Sequence, residues 1–183
     1  MKLNLSQKVP VYIDHYPGSE KLNPKLHRLI LEKVYGSNKG AIQTSWNEGF
    51  FVEEFKIISD YVIKIIRGVV EHQPSWELYL SDLWGQYYNK GDFQDVHNHN
   101  PAHWSFVYYV NAPKGSAPLV FTSSNKKVIP TSGMFVLFPA WLCHHVPVHK
   151  CEEIRSVIAG NLFYTKDWTE DKKRKVASLI PIK

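Results

Sequence analysis

Two pairs of histidines in the second half of the chain have the spacing of metal ligands. His97 and His99 are separated by one residue, and side chains two residues apart in an extended chain point to the same side. His144 and His145 follow about 45 residues later, after an apolar segment and a proline. Imidazole binds Fe, Zn, Cu and Ni, so these residues predict a metal site whose third ligand comes from the second pair. A surface loop that is merely rich in histidine is the alternative interpretation.

Arg155 lies 11 residues after His144, near the start of the apolar segment Ile154–Tyr164. On an exposed edge strand, such an arginine would have no special role. Facing inward, its guanidinium would bind a carboxylate through two parallel hydrogen bonds. An arginine just past a metal ligand therefore suggests a dicarboxylate co-substrate that chelates the metal at its other end.

The segments that must position these side chains are predicted helices first and strands second. After a short β-like start, Val9–Ile13, the pair Asn23 and Pro24 reads as an N-cap followed by proline at the first helical position. Gly36 stands where a C-terminal glycine would end this helix.

A second helix is predicted to begin at Ser45 and to continue to about Gly68. Ser45 and Glu48 have the spacing of a capping box. The apolar residues that follow recur every three or four positions, which gives the helix one apolar face. These positions are Phe51, Phe55, Ile58, Tyr61, Val62, Ile65 and Ile66.

From about residue 76 the chain changes to short apolar runs separated by turn residues. The candidate strands are Trp76–Tyr88, Trp104–Val110, Leu119–Thr122, Lys127–Ile129, Met134–Phe138 and Ile154–Tyr164. Short strands at this spacing predict a mainly β fold, a jelly-roll or antiparallel barrel with the N-terminal helices packed outside. We expect a single domain over 1–183: a helical N-terminal support at 1–75, a jelly-roll core at 76–165 and a charged C-terminal helix or tail at 166–183.

Composition limits the classes of function. The chain has 183 residues, no apolar run long enough to span a membrane, and a first segment too polar for a secretory signal. Two cysteines, Cys143 and Cys151, cannot form a disulfide framework, so a reducing, cytoplasmic location is expected. A homodimer is the default oligomeric state.

The net charge of +5 raises nucleic acid as a partner, but its distribution does not favour one. Residues 166–183 alone contain six basic against three acidic residues, so most of the excess lies in one short segment. No nucleic-acid-binding motif is present, and basic residues are not interleaved with aromatic ones in a patch. A nucleic-acid partner is therefore not expected.

The order and spacing of these residues resemble the 2-oxoglutarate- and iron(II)-dependent oxygenases of bacteria and marine phages, over about residues 84–164. The prolyl hydroxylases are more distantly similar, through His97-x-x-Asn100-Pro101 and the end of the Trp104 strand. The resemblance implies a double-stranded β-helix that holds Fe(II) at its open end. The matching positions are Trp84, Gly91, His97–His99, Ser105–Tyr109, Pro130, Gly133, Phe138–Pro147, Arg155 and Asn161.

The resemblance also assigns roles to individual residues. It implies that His97, His99 and His144 bind the metal and that Arg155 pairs with the far carboxylate of 2-oxoglutarate. Tyr109 would add a hydroxyl to that carboxylate and lies, by parity, on the same strand face as His97 and His99. Two weaker candidates for the co-substrate site are Tyr88 and Asn161.

One position departs from the pattern of this family. Its common iron site has two histidines and a carboxylate, whereas this chain has His99 at the carboxylate position. Asp95 is an alternative ligand, although it precedes His97 and reverses the usual order. His145 is an alternative to His144, or a residue that orients it.

The expected function is that of an Fe(II)- and 2-oxoglutarate-dependent dioxygenase, which hydroxylates an unidentified substrate and releases succinate and CO2. One alternative is a cupin-like enzyme that uses three histidines without a keto acid, which would have no need of Arg155. Another is a jelly-roll binding protein without catalytic activity. Four aromatic residues are candidates for the substrate entrance, although such residues are more often core: Trp46, Trp84, His103 and Trp104.

Overall fold

A computed structural model describes residues 8–33, 36–38, 40–69, 77–165 and 180–181. It contains helices α1 (Ser19–Glu32) and α2 (Glu53–Val69) and a 3-10 turn at Glu48–Phe51. Its strands are β1 (Tyr12–His15), β2 (Gly36–Asn38), β3 (Ala41–Gln43), β4 (Glu77–Tyr88), β5 (Gln94–His97), β6 (Trp104–Asn111), β7 (Leu119–Phe121), β8 (Lys126–Val128), β9 (Met134–Pro139), β10 (His144–Val146), β11 (Arg155–Thr165) and β12 (Ile180–Pro181).

Within the described residues, the strands form two antiparallel sheets. The larger sheet has the order β1-β9-β6-β11-β4-β3-β2, with β12 added to β4, and the smaller has the order β5-β10-β7-β8. This arrangement is the double-stranded β-helix, and it confirms the predicted mainly β jelly roll. Strand β11 lies in the middle of the larger sheet, paired with β6 on one side and β4 on the other.

The larger sheet is covered on both faces, which explains its nearly continuous apolar strands. Successive residues of β6 point in opposite directions. Phe106 and Tyr108 belong to the core shared with the helices, whereas Tyr109 belongs to the core between the sheets. The buried residues Val136 and Phe138 of β9 also contribute to this second core. The inner core surrounds the space that the histidines face.

Helix α2 closes the outer face of the larger sheet. Its buried residues Phe55, Ile58, Val62 and Ile66 recur every three or four positions, as an amphipathic helix requires. They join one apolar cluster with residues of β4, β6, β9 and β11. The prediction of helices packed outside the barrel is confirmed.

The predicted start and end of the first helix were wrong. Helix α1 begins at Ser19, and Pro24 lies inside it. Asn23 is not a cap because its side chain is buried in contacts with β6: it donates to the carbonyl of Val110 and accepts from the Tyr108 hydroxyl. Gly36 does not end the helix but opens β2.

The predicted start of the second helix was also wrong. Residues after Ser45 form a 3-10 turn without a side-chain cap, and the extended backbone of Val52 separates this turn from α2. Phe51 consequently lies outside the helix and is 84% exposed.

Several short strands escaped the sequence prediction. Strands β2, β3, β5 and β10 have three or four residues each, too few for an apolar alternation to be recognised. Strands β2 and β3 lie between the two predicted helices. Of the expected charged helix or tail, 166–179 and 182–183 lie outside the described residues. Ile180–Pro181 forms strand β12 on β4.

Two further expectations concern the chain as a whole. Both Cys143 and Cys151 are free thiols. Within the described residues, no helix is long and apolar enough to cross a membrane. The single-domain boundaries stay a prediction.

The close approach of β11 to its neighbours gives a test of the fold. A methyl group at Gly160 would lie 2.6 Å from the Phe106 ring and 2.8 Å from the Asp82 carbonyl oxygen. We expect Gly160→Ala to lower the free energy of unfolding by about 1–3 kcal/mol, because the backbone of β4 cannot move aside cheaply. Chemical denaturation measures this.

Gly68→Ala is the matched control, because a methyl group there meets nothing within 4 Å on helix α2. It should leave stability unchanged or raise it by up to about 1 kcal/mol. Equal effects of the two substitutions would contradict the packing at Gly160.

Candidate metal and co-substrate site

Three histidines converge at one end of the inner core. One ring nitrogen from each of His97, His99 and His144 lies within 4.8 Å of the others. The ring centroids are 4.3 Å apart for His97 and His144, 5.0 Å for His97 and His99, and 5.1 Å for His99 and His144. Three nitrogen donors at this separation can bind one metal ion on a single face.

Backbone pairing brings two of these residues together. His97 ends β5 and His144 begins β10, and the two are direct partners in the smaller sheet. His99 lies beyond the end of β5, and the expectation that both imidazoles face one point is met although only His97 belongs to a strand. Its backbone N–H instead donates to the carbonyl of Ala140, 2.8 Å away, which holds it near β10.

Two of the rings are fixed in the tautomer that a metal requires. Nδ1 of His97 lies 2.7 Å from the carbonyl oxygen of Asp95, and Nδ1 of His144 lies 2.8 Å from that of Leu142. A carbonyl oxygen only accepts hydrogen bonds, so each Nδ1 must carry the proton. Nε2 is then the nitrogen that carries the lone pair, which is the form a metal requires.

Burial keeps two of these imidazoles neutral at physiological pH. Together with the proximity of His97, it lowers the pKa of His99 to about 4 and the pKa of His144 to about 3. A neutral imidazole is the form that binds metal, and neutral rings can share a site without mutual repulsion. His99 and His144 therefore add no charge to the three-histidine face.

The geometry separates the alternative ligands. The Asp95 side chain is not part of the cluster, and this residue acts through its carbonyl oxygen on His97. His145 is likewise outside the cluster. It does not orient His144, whose Nδ1 bonds to the backbone instead.

Arg155 is buried without a counter-ion. The residue is 1% exposed, and its Nε and Nη1 have no hydrogen-bond partner. No ion pair with a carboxylate forms around it in the described part of the chain. An unpaired charge in such a place costs several kcal/mol, so an anionic ligand is the obvious partner.

Two tyrosines surround the guanidinium. The Cζ atom of Arg155 lies 4.4 Å from the ring centroid of Tyr88, its direct partner on β4, and 5.1 Å from that of Tyr109. Burial raises the pKa of both hydroxyls, with the positive charge of Arg155 partly opposing the shift. Both hydroxyls are therefore protonated donors, and that of Tyr109 is buried beside the Arg155 guanidinium.

Tyr109 reaches this position from a strand of the larger sheet, whereas His97 lies in the smaller one. The parity argument that placed them on one strand face was therefore wrong, because parity applies only within a strand. Both nevertheless face the space between the sheets.

One pocket connects the arginine to the histidines. Its empty volume is about 610 Å³, a figure that includes the open solvent at the entrance. The residues that line it are Gln43, Trp46, Trp84, Gln86, Tyr88, Gln94, His97, His99, Phe106, Val107, Leu119, Phe138, His144, Val146, Arg155, Val157 and Ala159.

The entrance residues are only partly those expected. Trp46 and Trp84 line this pocket, whereas His103 and Trp104 line a separate cavity. The sequence prediction missed three glutamines, Gln43, Gln86 and Gln94. Gln86 could have been predicted from the sequence. It lies two residues from both Trp84 and Tyr88 on β4, so its side chain points to the same side of the strand.

Asn161 is not brought to the pocket. Its Oδ1 accepts from the Ser105 hydroxyl at 2.7 Å and its Nδ2 donates to Asp82 at 2.9 Å. The amide thus ties β11 to both of its neighbouring strands. Its part in co-substrate binding stays a prediction.

Comparison with solved structures finds the same fold in 2-oxoglutarate-linked proteins. The chain is 14% identical to the viral collagen prolyl hydroxylase of Paramecium bursaria Chlorella virus 1 in complex with 2-oxoglutarate, over 82% of this chain and 94% of that one, with a TM-score of 0.66. HygX of Streptomyces hygroscopicus, with nickel and 2-oxoglutarate bound, is 13% identical over 88% and 86%, with a TM-score of 0.65.

A prolyl-4-hydroxylase of Pseudomonas putida is 16% identical over 87% of this chain and 94% of that one, with a TM-score of 0.62. No family model matches the chain, and no curated protein matches it. At these identities the structural likeness establishes the double-stranded β-helix fold.

The ligand set can be tested by metal titration. We expect one Zn²⁺ to bind and raise the melting temperature, because ligands stabilise the state that they bind. His97→Ala and His144→Ala should each weaken Zn²⁺ binding at least about tenfold, since one of three ligands is lost. Isothermal titration calorimetry measures the affinities.

His145→Ala is the control for the neighbouring histidine and should leave Zn²⁺ affinity unchanged, because His145 lies outside the cluster. A loss of affinity in this variant, with normal binding in His144→Ala, would reverse the assignment of the ligand.

Proposed function

We propose that this protein is an Fe(II)- and 2-oxoglutarate-dependent dioxygenase that hydroxylates a substrate and releases succinate and CO2. The observation that carries the proposal is the buried, unpaired guanidinium of Arg155 in the same pocket as three histidines. A metal face and a carboxylate-binding group in one pocket match a ligand with a chelating end and an anionic end. 2-Oxoglutarate has both.

His97, His99 and His144 would hold the iron, and their fit rests on the donor set. Imidazole suits Fe(II), His99 and His144 are neutral, and the Nδ1 contacts of His97 and His144 make Nε2 the lone-pair nitrogen. Three ligands on one face leave coordination positions for other groups. When bound, the iron supplies the oxidative chemistry that protein side chains lack.

The remaining residues position the co-substrate. Arg155 would pair with its distal carboxylate, and the protonated hydroxyls of Tyr109 and Tyr88 would donate to the same group. Apolar neighbours such as Leu119 and Val157 exclude water from this end of the pocket. In a site of low dielectric constant, such a charge-assisted pair is strong.

The two alternative functions explain less of the structure. A cupin-like three-histidine enzyme would account for the metal face but would leave the charge of Arg155 buried without purpose. A binding protein without catalytic activity would account for neither the neutral histidine face nor the arginine. Cytoplasmic location and a homodimer stay predictions.

Removing the guanidinium should abolish co-substrate binding. We expect Arg155→Met to weaken 2-oxoglutarate binding to the zinc-loaded protein by at least about 30-fold, because truncating one member of a buried charge pair costs about 2–5 kcal/mol. The melting temperature without 2-oxoglutarate should not fall, since the variant removes an unpaired buried charge. Calorimetry and thermal unfolding give the two values.

Activity provides the second measurement. With Fe(II), oxygen and a substrate mixture, the unaltered protein should convert 2-oxoglutarate to succinate, and Arg155→Met should not. Equal binding of 2-oxoglutarate by Arg155→Met and the unaltered protein would refute the role of Arg155. Failure of the unaltered protein to bind 2-oxoglutarate in the presence of any divalent metal would refute the function.

The neutral histidine face makes a separate prediction about the metal. Without a carboxylate ligand, the bound metal keeps its full positive charge until an anion arrives. We therefore expect 2-oxoglutarate to tighten Zn²⁺ binding, and Zn²⁺ to tighten 2-oxoglutarate binding by the same factor.

His99→Asp restores a carboxylate to the face. It should raise Zn²⁺ affinity in the absence of 2-oxoglutarate and reduce the tightening that 2-oxoglutarate provides. His99→Ala, which removes a ligand without adding charge, should weaken Zn²⁺ binding in both conditions. A weaker Zn²⁺ affinity in His99→Asp than in His99→Ala would contradict the placement of this side chain at the metal.

A further inference from the structure

The pocket has two chemically different ends. Three cross-strand pairs of β4 and β11 form its wall: Tyr88 with Arg155, Gln86 with Val157, and Trp84 with Ala159. At about 3.3 Å per residue, Trp84 lies roughly 13 Å along the strand from Tyr88. In the proposed function, the end at Arg155 binds the dicarboxylate. No ligand has yet been assigned to the end at Trp84.

Trp84 carries a hydrogen-bond donor that the protein does not use. The residue is 4% exposed, and its Nε1–H is buried without a partner in the described part of the chain. Its ring centroid is 6.1 Å from that of His99, which places it beside the metal face. A buried N–H without a partner is rare and costs about 1–3 kcal/mol, so it points to a ligand that accepts from it.

An aromatic surface lies next to this donor. Trp46 packs edge-on against Trp84, with ring centroids 4.5 Å apart, and remains 44% exposed. Between this end and Arg155 the pocket wall has amide side chains: Gln86, whose Nε2 donates to Gln94, and Gln43. An exposed indole beside a buried donor is suited to a ligand with an apolar face and a polar atom.

The charge of the pocket restricts the ligand further. Among the lining residues that the structure describes, Arg155 is the one permanently charged side chain, and it lies at the far end. A charged group beside Trp84 would lose part of its hydration and find no opposite charge among these residues. Amide and indole groups without a charged partner therefore favour a neutral ligand, whose burial costs less than that of a charge.

We propose that the Trp46–Trp84 end of the pocket binds the primary substrate, and that it takes an uncharged group with an apolar face against Trp46 and a hydrogen-bond acceptor at Nε1–H of Trp84. The identification of this ligand as a substrate rests on the proposed function. Binding at this end of the pocket does not itself require turnover. Trp84 is thus a specificity-determining residue of the site.

The test uses the indole N–H resonance of Trp84 in ¹⁵N-labelled protein, identified by its absence in Trp84→Phe. The probes are benzamide, benzylamine and benzoate, which share a ring and differ in charge. Each is titrated into the metal-free protein and into the protein loaded with Zn²⁺ and 2-oxoglutarate, a combination that is stable because zinc is redox-inert.

We expect benzamide to shift the Trp84 resonance in both forms. Benzylamine, and benzoate in the loaded form, should bind at least tenfold more weakly than benzamide. Trp84→Phe should weaken benzamide binding roughly twofold to tenfold, as loss of one neutral hydrogen bond does. Trp141→Phe, at an exposed tryptophan outside the pocket, should leave benzamide affinity unchanged.

A Trp84 resonance that benzamide does not move would overturn the inference, as would equal affinity for benzamide and benzylamine. Both observations are made on the unaltered chain, and in them Trp84→Phe serves only to assign the resonance. If 2-oxoglutarate fails to bind while benzamide still shifts Trp84 in the metal-free protein, the proposed function fails and the binding site stands. If 2-oxoglutarate binds but benzamide does not shift the Trp84 resonance, the substrate site fails and the proposed function stands.

Discussion

The burial of one positive charge is the constraint on which the rest of the site depends. Arg155 begins the central strand of the larger sheet, and the fold leaves only 1% of it exposed. A charge removed from water in this way is tolerated only if other groups replace its hydration. The aromatic faces of Tyr88 and Tyr109 supply part of this compensation. The proposed dicarboxylate would supply the remainder.

The histidines complement this arrangement because they supply no negative charge. Burial suppresses the protonation of His99 and His144, and carbonyl oxygens fix the His97 and His144 rings with Nδ1 protonated. The described part of the pocket thus combines one permanent positive charge with a histidine cluster that has no carboxylate. In the proposed function, a divalent metal would add positive charge and a dicarboxylate would balance most of the total. Metal and co-substrate are therefore expected to depend on each other more than in a site with its own carboxylate.

The jelly-roll class was accessible from sequence because its signals are local. Apolar runs such as Met134–Phe138, separated by turn residues, identify strands that are covered on both faces. The helix boundaries were not accessible in the same way. Asn23 has the chemistry of a cap, but its amide is used in bonds to β6, which lies more than 80 residues away in the chain. Strands as short as β5 and β10 form through their partners rather than through a pattern of their own.

The sequence by itself determined which functional residues and strands are present: histidines with ligand spacing, an arginine at the start of an apolar strand, and enough strands for a barrel. The tertiary structure decided which of these residues come into contact. Cross-strand pairing placed His144 rather than His145 opposite His97, and a backbone bond to Ala140 brought His99 to them. Tyr109 reached Arg155 from another strand, and Trp84 was left with an unused N–H. These are contacts between distant parts of the chain, and register between strands is set by the whole barrel rather than by neighbouring residues.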